Sequence, residues 1–150
     1  MREETIQKIL QKKIIAIVRG VYGEDCIRLA NALYDGGIEM MEVTFDQNRS
    51  DNLTQTGHTI RLLVEKLGDK MAFGAGTVIT IQMLEAAYHA GAKFIVSPNT
   101  DPSIIKKTVE LGMVSIPGAM TSTEILAAHE WGADFVKVFP TSNLGASYIK

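Results

Sequence analysis

The chain has 150 residues, 46% of them hydrophobic and 21% charged, which suits one soluble globular domain long enough to bury a core. A net charge of −2 gives no electrostatic footprint for nucleic acid or an anionic membrane, so neither is an expected partner. The lone Cys26 excludes an internal disulfide framework and fits a reducing compartment. No apolar run reaches the length of a membrane span, and Met1–Ile6 lacks a signal-peptide core, so the expected location is the cytoplasm.

Strands and helices alternate along the chain. Residues 2–11 place Ile6, Ile9 and Leu10 on one face of a short amphipathic helix. Ile14–Val18 is a near-continuous apolar run, the mark of a strand buried on both sides, and Arg19-Gly20 closes it. Helical spacing over 24–35 ends at Gly36-Gly37, since glycine accepts a left-handed cap. Met40–Phe45 is the second strand; a polar loop over 46–52 leads to a helix over 53–66 that stops at Gly68. Met71–Thr77 is the third strand, glycine-rich at its end, followed by a helix over 80–90. Lys93–Pro98 is the fourth. Asp101-Pro102 then reads as an N-cap with proline at the first helical position, opening a helix that ends at Gly112. Met113–Pro117 is the fifth strand, and Thr121-Ser-Thr-Glu124 fits a capping box for a helix that runs to Trp131. The sixth strand, Asp134–Pro140, carries Lys137, and a further helix is expected to start at Asn143.

Such a series of strand-then-helix units predicts an α/β fold, a parallel sheet with helices outside it. Gly74-Ala-Gly76 lacks the third glycine of a dinucleotide-binding fingerprint, and the short, even repeats favour a (β/α)8 barrel over an open doubly wound sheet. Eight strands close such a barrel, and this sequence supplies six. The expectation is a single, partial barrel domain over residues 1–150.

Polar residues fall where ligands bind in either architecture, at the C-terminal ends of the strands. Arg19 ends strand one, Glu42 and Thr44 share a face of strand two, Thr77 ends strand three, and Lys137 lies in strand six with Phe135 and Phe139 on its face. Parity allows Glu42 and Lys137 both to project inward, a carboxylate beside an amine in an apolar shell. Desolvation favours a neutral, nucleophilic amine, which condenses with a ketone to a Schiff base while a carboxylate shuttles protons. An arginine fork and a threonine hydroxyl suit a substrate carboxylate. On pattern alone a satisfied core ion pair fits these residues as well. His58, His89 and His129 lie on separate helices without metal-ligand spacing, and Cys26 reads as packing.

The motifs Ile17-Val-Arg-Gly20, Glu42-Val-Thr-Phe45, Gly74-Ala-Gly-Thr77, Phe94-Ile-Val-Ser-Pro98, Ile116-Pro-Gly-Ala119 and Val136-Lys-Val-Phe-Pro140 together resemble the KDPG/KHG aldolases, from about residue 6 to residue 150. The resemblance implies a (β/α)8 barrel, usually trimeric, with neither metal nor organic cofactor. It implies a class I lyase that splits 2-keto-3-deoxy-6-phosphogluconate or 4-hydroxy-2-oxoglutarate to pyruvate and an aldehyde. Lys137 matches the Schiff-base lysine and Glu42 the general acid/base, and Arg19 and Thr77 match positions that contact the keto-acid end of the substrate.

Two departures qualify the match. Asp46 stands where many members carry an arginine for the substrate carboxylate, which leaves that task to Arg19. Two βα units that cradle the substrate phosphate in the family do not follow Lys150, so the expectation is a C-terminally truncated aldolase. Ser97–Pro102 also resembles the related phosphogalactonate aldolases. The alternatives are therefore a phosphogalactonate aldolase, a catalytically impaired homologue acting as an assembly or binding subunit, or a phosphosugar isomerase or epimerase that has no covalent use for Lys137.

Overall fold

Side-chain caps set several helix boundaries. In the computed structural model, which describes residues 2–142 and 144–149, Asp101 accepts from the backbone N–H groups of Ser103 and Ile104 at 2.8 and 3.3 Å. Thr121 and Glu124 form the expected reciprocal capping box, and Thr80 caps its own helix by accepting from Met83 N–H. Gly37 and Gly132, at φ 89° and 95°, turn the chain out of their helices in a conformation that a Cβ disfavours.

The elements run α1 (Arg2–Lys12), β1 (Ala16–Val18), α2 (Gly23–Asp35), β2 (Met40–Thr44), α3 (Asn52–Leu67), β3 (Ala72–Gly76) and α4 (Ile81–His89). They continue β4 (Phe94–Val96), α5 (Pro102–Glu110), β5 (Val114–Ile116), β6 (Gly118–Ala119), α6 (Ser122–Glu130) and β7 (Lys137–Val138), with a 3-10 turn at Ala146–Tyr148. Strands β1 to β5 form one parallel sheet in chain order, and β6 pairs in parallel with β7. Pro117 parts β5 from β6 because it has no N–H to give a ladder. The hydrogen bonding nevertheless carries across: Phe135, Lys137 and Phe139 N–H groups donate to the carbonyls of Ser115, Pro117 and Ala119 at 3.2, 2.9 and 3.0 Å. β7 is thus the sixth stave of one continuous arc.

The arc has two faces. Its convex side is covered by helices and holds the larger core, in which Met41, Val43, Phe73, Ala75 and Ile95 from the strands meet Cys26, Ala30, Ile60, Leu63 and Leu84 from the helices. Its concave side holds a smaller cluster of Met40, Ala72, Phe94, Val96, Val114 and Ile116, onto which Ile6 and Ile9 of α1 pack. The alternation of Met40 with Met41 and of Phe94 with Ile95 is the period of two that sends neighbouring side chains to opposite faces.

Three expectations are corrected. The run 14–18 is not a strand buried on both sides: only Ala16–Val18 pairs, and Ile17 is 58% exposed, because β1 is an edge strand whose inner face looks into an open cleft. The Lys137 strand is half-buried rather than buried and only two residues long, for the same reason at the opposite edge. The described part of the last expected helix is the 3-10 turn at Ala146–Tyr148, and Asn143 and Lys150 lie outside the described residues.

Candidate active site

Glu42 sits at the middle of β2, in register with Ile17 on one side and Gly74 on the other. It points into the concave face and is 3% exposed. Glycines on β3 make this possible. A Cβ on Gly76 would lie 2.6 Å from Glu42 Oε1, and one on Gly74 would lie 2.3 Å from the Phe94 ring. The missing side chains leave room for the carboxyl at one position and for the ring that floors the cleft at the other.

Lys137 comes to the same cleft from β7. Its lining is Ile15, Ile17, Glu42, Val96, Ile116 and Lys137, around a space of about 240 Å³. The ammonium lies 4.6 Å from the centroid of Phe139, a cation–π distance, and Phe135 packs below in the concave cluster. The alternation read from the sequence therefore holds. Among the described residues no hydrogen bond or ion pair joins Glu42 to Lys137, so the arrangement is not a satisfied core ion pair. The two groups still feel one another. Burial pushes the Glu42 carboxyl from an ordinary 4.5 up to about 7, against the opposing pull of Lys137 and Arg19.

Arg19 and Thr77 line a second cavity of about 230 Å³ at the C-terminal strand ends, together with Phe45, Asp46, Gln47 and Asn48. Arg19 is exposed, and its charge reaches Glu42 without contact. Thr77 has φ 58°, a left-handed conformation that is unusual for a β-branched residue and collects at ligand sites. Its carbonyl accepts from Gln47 Nε2 at 3.4 Å, a link that sequence reasoning missed because residues 46–52 carry only a loop composition. Asp46 is turned into that loop, accepting from Asn48 N–H at 3.0 Å. The structure thus groups the four residues as two adjoining pairs, Glu42 with Lys137 and Arg19 with Thr77.

Sequence reasoning also assigned nothing to Asp134, which is nearly buried. It accepts from Ser115 N–H at 2.9 Å and from Arg2 at 2.8 Å, fixing the start of the segment that carries Lys137. Cys26 is fully buried and its thiol is pushed up to about 11, in keeping with a packing role. Among the described residues, no three His, Cys, Asp or Glu side chains come together as a metal site, and no helix is long and apolar enough to cross a membrane.

A family model described as KDPG and KHG aldolase matches residues 5–150. The chain belongs to this aldolase family. It is 35% identical over 137 residues to the 2-dehydro-3-deoxy-6-phosphogalactonate aldolase of Escherichia coli K12, covering 91% of this chain and 64% of that protein. It is 36% identical over 144 residues to the 2-dehydro-3-deoxy-phosphogluconate aldolase of Treponema pallidum, covering 95% and 65%. Among solved structures, a native KDPGal structure superposes with a TM-score of 0.80 at 33% identity, over 90% of this chain and 63% of that one. The Legionella pneumophila KDPG aldolase with pyruvate captured as a covalent carbinolamine superposes at 0.72 and 29% identity, over 85% and 58%. The fold is accordingly of the barrel type, present here as an arc of six staves. This aldolase-family chain spans just under two thirds of the length of the curated relatives it matches.

Proposed function

We propose that the chain carries Schiff-base aldolase chemistry, cleaving 2-keto-3-deoxy-6-phosphogluconate, 4-hydroxy-2-oxoglutarate or both to pyruvate and an aldehyde. The observation that carries the reading is the buried carboxyl of Glu42, held near neutrality in the same apolar cleft as the Lys137 amine. An acid that must both give and take a proton at neutral pH works best with a pKa near 7.

The steps follow from that pair. The Lys137 amine attacks the keto carbon and forms a carbinolamine. Glu42 gives its proton to the carbinolamine hydroxyl, which leaves as water, and a cationic imine remains. The Glu42 carboxylate then takes the proton of the substrate's C4 hydroxyl. The C3–C4 bond breaks, its electron pair flows into the imine to make an enamine, and the aldehyde departs. Glu42 returns the proton to the enamine carbon, and water adds to the cationic imine; the carboxylate of Glu42 takes the proton set free as pyruvate leaves, which restores the free amine and the protonated acid. Arg19 and Thr77, in the adjoining cavity, hold the keto-acid carboxylate. No residue in these steps calls for a metal or organic cofactor.

Similarity to the phosphogalactonate aldolase supports the alternative sugar acid, which differs in hydroxyl stereochemistry rather than in the bonds made. The unit is proposed as one partial barrel domain that acts in the cytoplasm as a homo-oligomer, a trimer. Ile125 and Leu126 on the exposed side of α6 supply apolar surface for such contacts. A second reading, an impaired assembly or binding subunit, draws on the exposed inner face of β1 at Ile17.

Borohydride reduction in the presence of pyruvate separates these readings. A pyruvyl mass shift that maps to Lys137 and is lost in Lys137→Ala supports the aldolase. A folded wild-type chain that gains no adduct supports the assembly subunit.

A further inference from the structure

The inner face of β2 carries a second polar group that the reaction as described leaves unused. Thr44 follows Glu42 on the same face, in register with Gly76, and is 1% exposed. Its hydroxyl has no hydrogen-bond partner among the described residues. The other buried hydroxyls without a partner among the described residues belong to Tyr22, at the start of α2, and to Thr56 on α3. Thr44 alone of the three stands beside the candidate acid/base.

A buried hydroxyl with no partner costs free energy, and valine offers the same shape without that cost. The contacts around Thr44 therefore gain nothing from the hydroxyl. What changes during the reaction is its neighbour. A Cβ on Gly76 would lie 2.6 Å from Glu42 Oε1 and 2.9 Å from Thr44 Cγ2, so a single point touches both side chains. One turn about the Cα–Cβ bond of Thr44 brings its hydroxyl to where that methyl stands. From there it reaches the carboxyl directly or through one water. A neutral carboxyl in an apolar cleft has little need of a donor, whereas a carboxylate there needs one. The charged groups facing Glu42 are Lys137 from β7 and Arg19 beyond β1, and neither hydrogen-bonds it.

We propose that Thr44 is a positioning residue for Glu42, its hydroxyl donating a hydrogen bond to the carboxylate each time Glu42 gives up its proton. The catalytic part of this inference rests on the aldolase reading, while the coupling of the two side chains does not. The unpartnered hydroxyl is then the resting state of a contact made only in the charged half of the cycle, a contact that strengthens as charge develops.

The test compares Thr44→Val and Thr44→Ser with wild type. The Glu42 carboxyl is titrated by carbon-13 NMR, with Glu42→Gln assigning its signal, and pyruvate proton exchange and borohydride trapping are followed in parallel. A lost donor to the carboxylate raises its pKa, so Thr44→Val is expected to move the Glu42 midpoint up by about one pH unit and to slow exchange about tenfold. The urea midpoint should not fall, and Thr44→Ser should restore both readouts. Thr44→Ala, which leaves space instead of a methyl, should shift the titration in the same direction. An unmoved Glu42 midpoint in Thr44→Val, or a shift that serine does not restore, overturns the proposal. A wild-type chain that traps no pyruvate overturns the aldolase reading instead, and the titration still decides whether Thr44 and Glu42 are coupled.

Discussion

The two faces of the sheet are built to opposite rules. The convex face is closed by helices and packed with buried side chains such as Met41, Ile60, Leu63, Phe73 and Leu84, each at most 1% exposed. The concave face is thinly filled, plugged below by Ile6 and Ile9 and open above, where Ile17 is exposed and the carboxyl of Glu42 has no hydrogen bond or ion pair among the described residues. Strand residues one position apart therefore face a packed core and an open cleft. Met41 and Val43 hold β2 in the fold, and Glu42 between them is free to be a poor structural residue.

Changing the inner face should trade activity for stability. With Glu42→Gln, turnover and pyruvate exchange are expected to fall about 10²- to 10⁴-fold, the usual worth of a positioned acid/base. The same change should flatten the pH dependence of stability. Wild-type Glu42 has a folded pKa of about 7 against an ordinary 4.5, so the folded state holds its proton more tightly than the unfolded chain. Its contribution is fully present below pH 4.5 and is lost as pH rises through 7, a change on the order of 3 kcal/mol. Urea denaturation at pH 5 and pH 8 reads it directly. If glutamine leaves that pH dependence intact, the carboxyl is not the buried, near-neutral group described.

A change on the outer face should do the reverse. Leu63→Ala removes a fully buried side chain from the convex core and should cost about 3 kcal/mol of unfolding free energy. Borohydride trapping in the folded fraction should be unaltered; a trapping rate that fell with stability would show that the two faces are not independent. Smaller still is the capping box of α6. Thr121→Ala should cost about 1 kcal/mol, with hydrogen exchange loosening in the first turn of α6 rather than across the sheet.

The sequence carried the features that depend on local pattern. Capping at Asp101 and Thr121, left-handed glycines such as Gly37, and the alternation that turns Glu42 and Lys137 to one face are all written within a few residues of themselves. What it did not carry depends on neighbours brought from afar. The apolar run 14–18 looks the same whether its inner face meets another strand or an open cleft. The hydroxyl of Thr44 could not be known to lack a partner, nor Gly76 to stand aside for a carboxyl, until β2 and β3 were in register. In the sequence Pro117 ends the fifth strand, and the short β6 beyond it was not legible because the proline, lacking an N–H, looks like a terminus.

The clasp between Arg2 and Asp134 joins positions 132 residues apart. Asp134 in turn anchors the backbone of Ser115 and opens the segment leading to Lys137. The second residue of the chain is thus tied to the segment that carries Lys137. A peptide tag fused ahead of Arg2, or trimming that removes it, acts on the geometry of the amine as well as on the terminus. Preparations that differ only at the N-terminus should be compared by their Lys137 trapping rates before they are treated as the same protein.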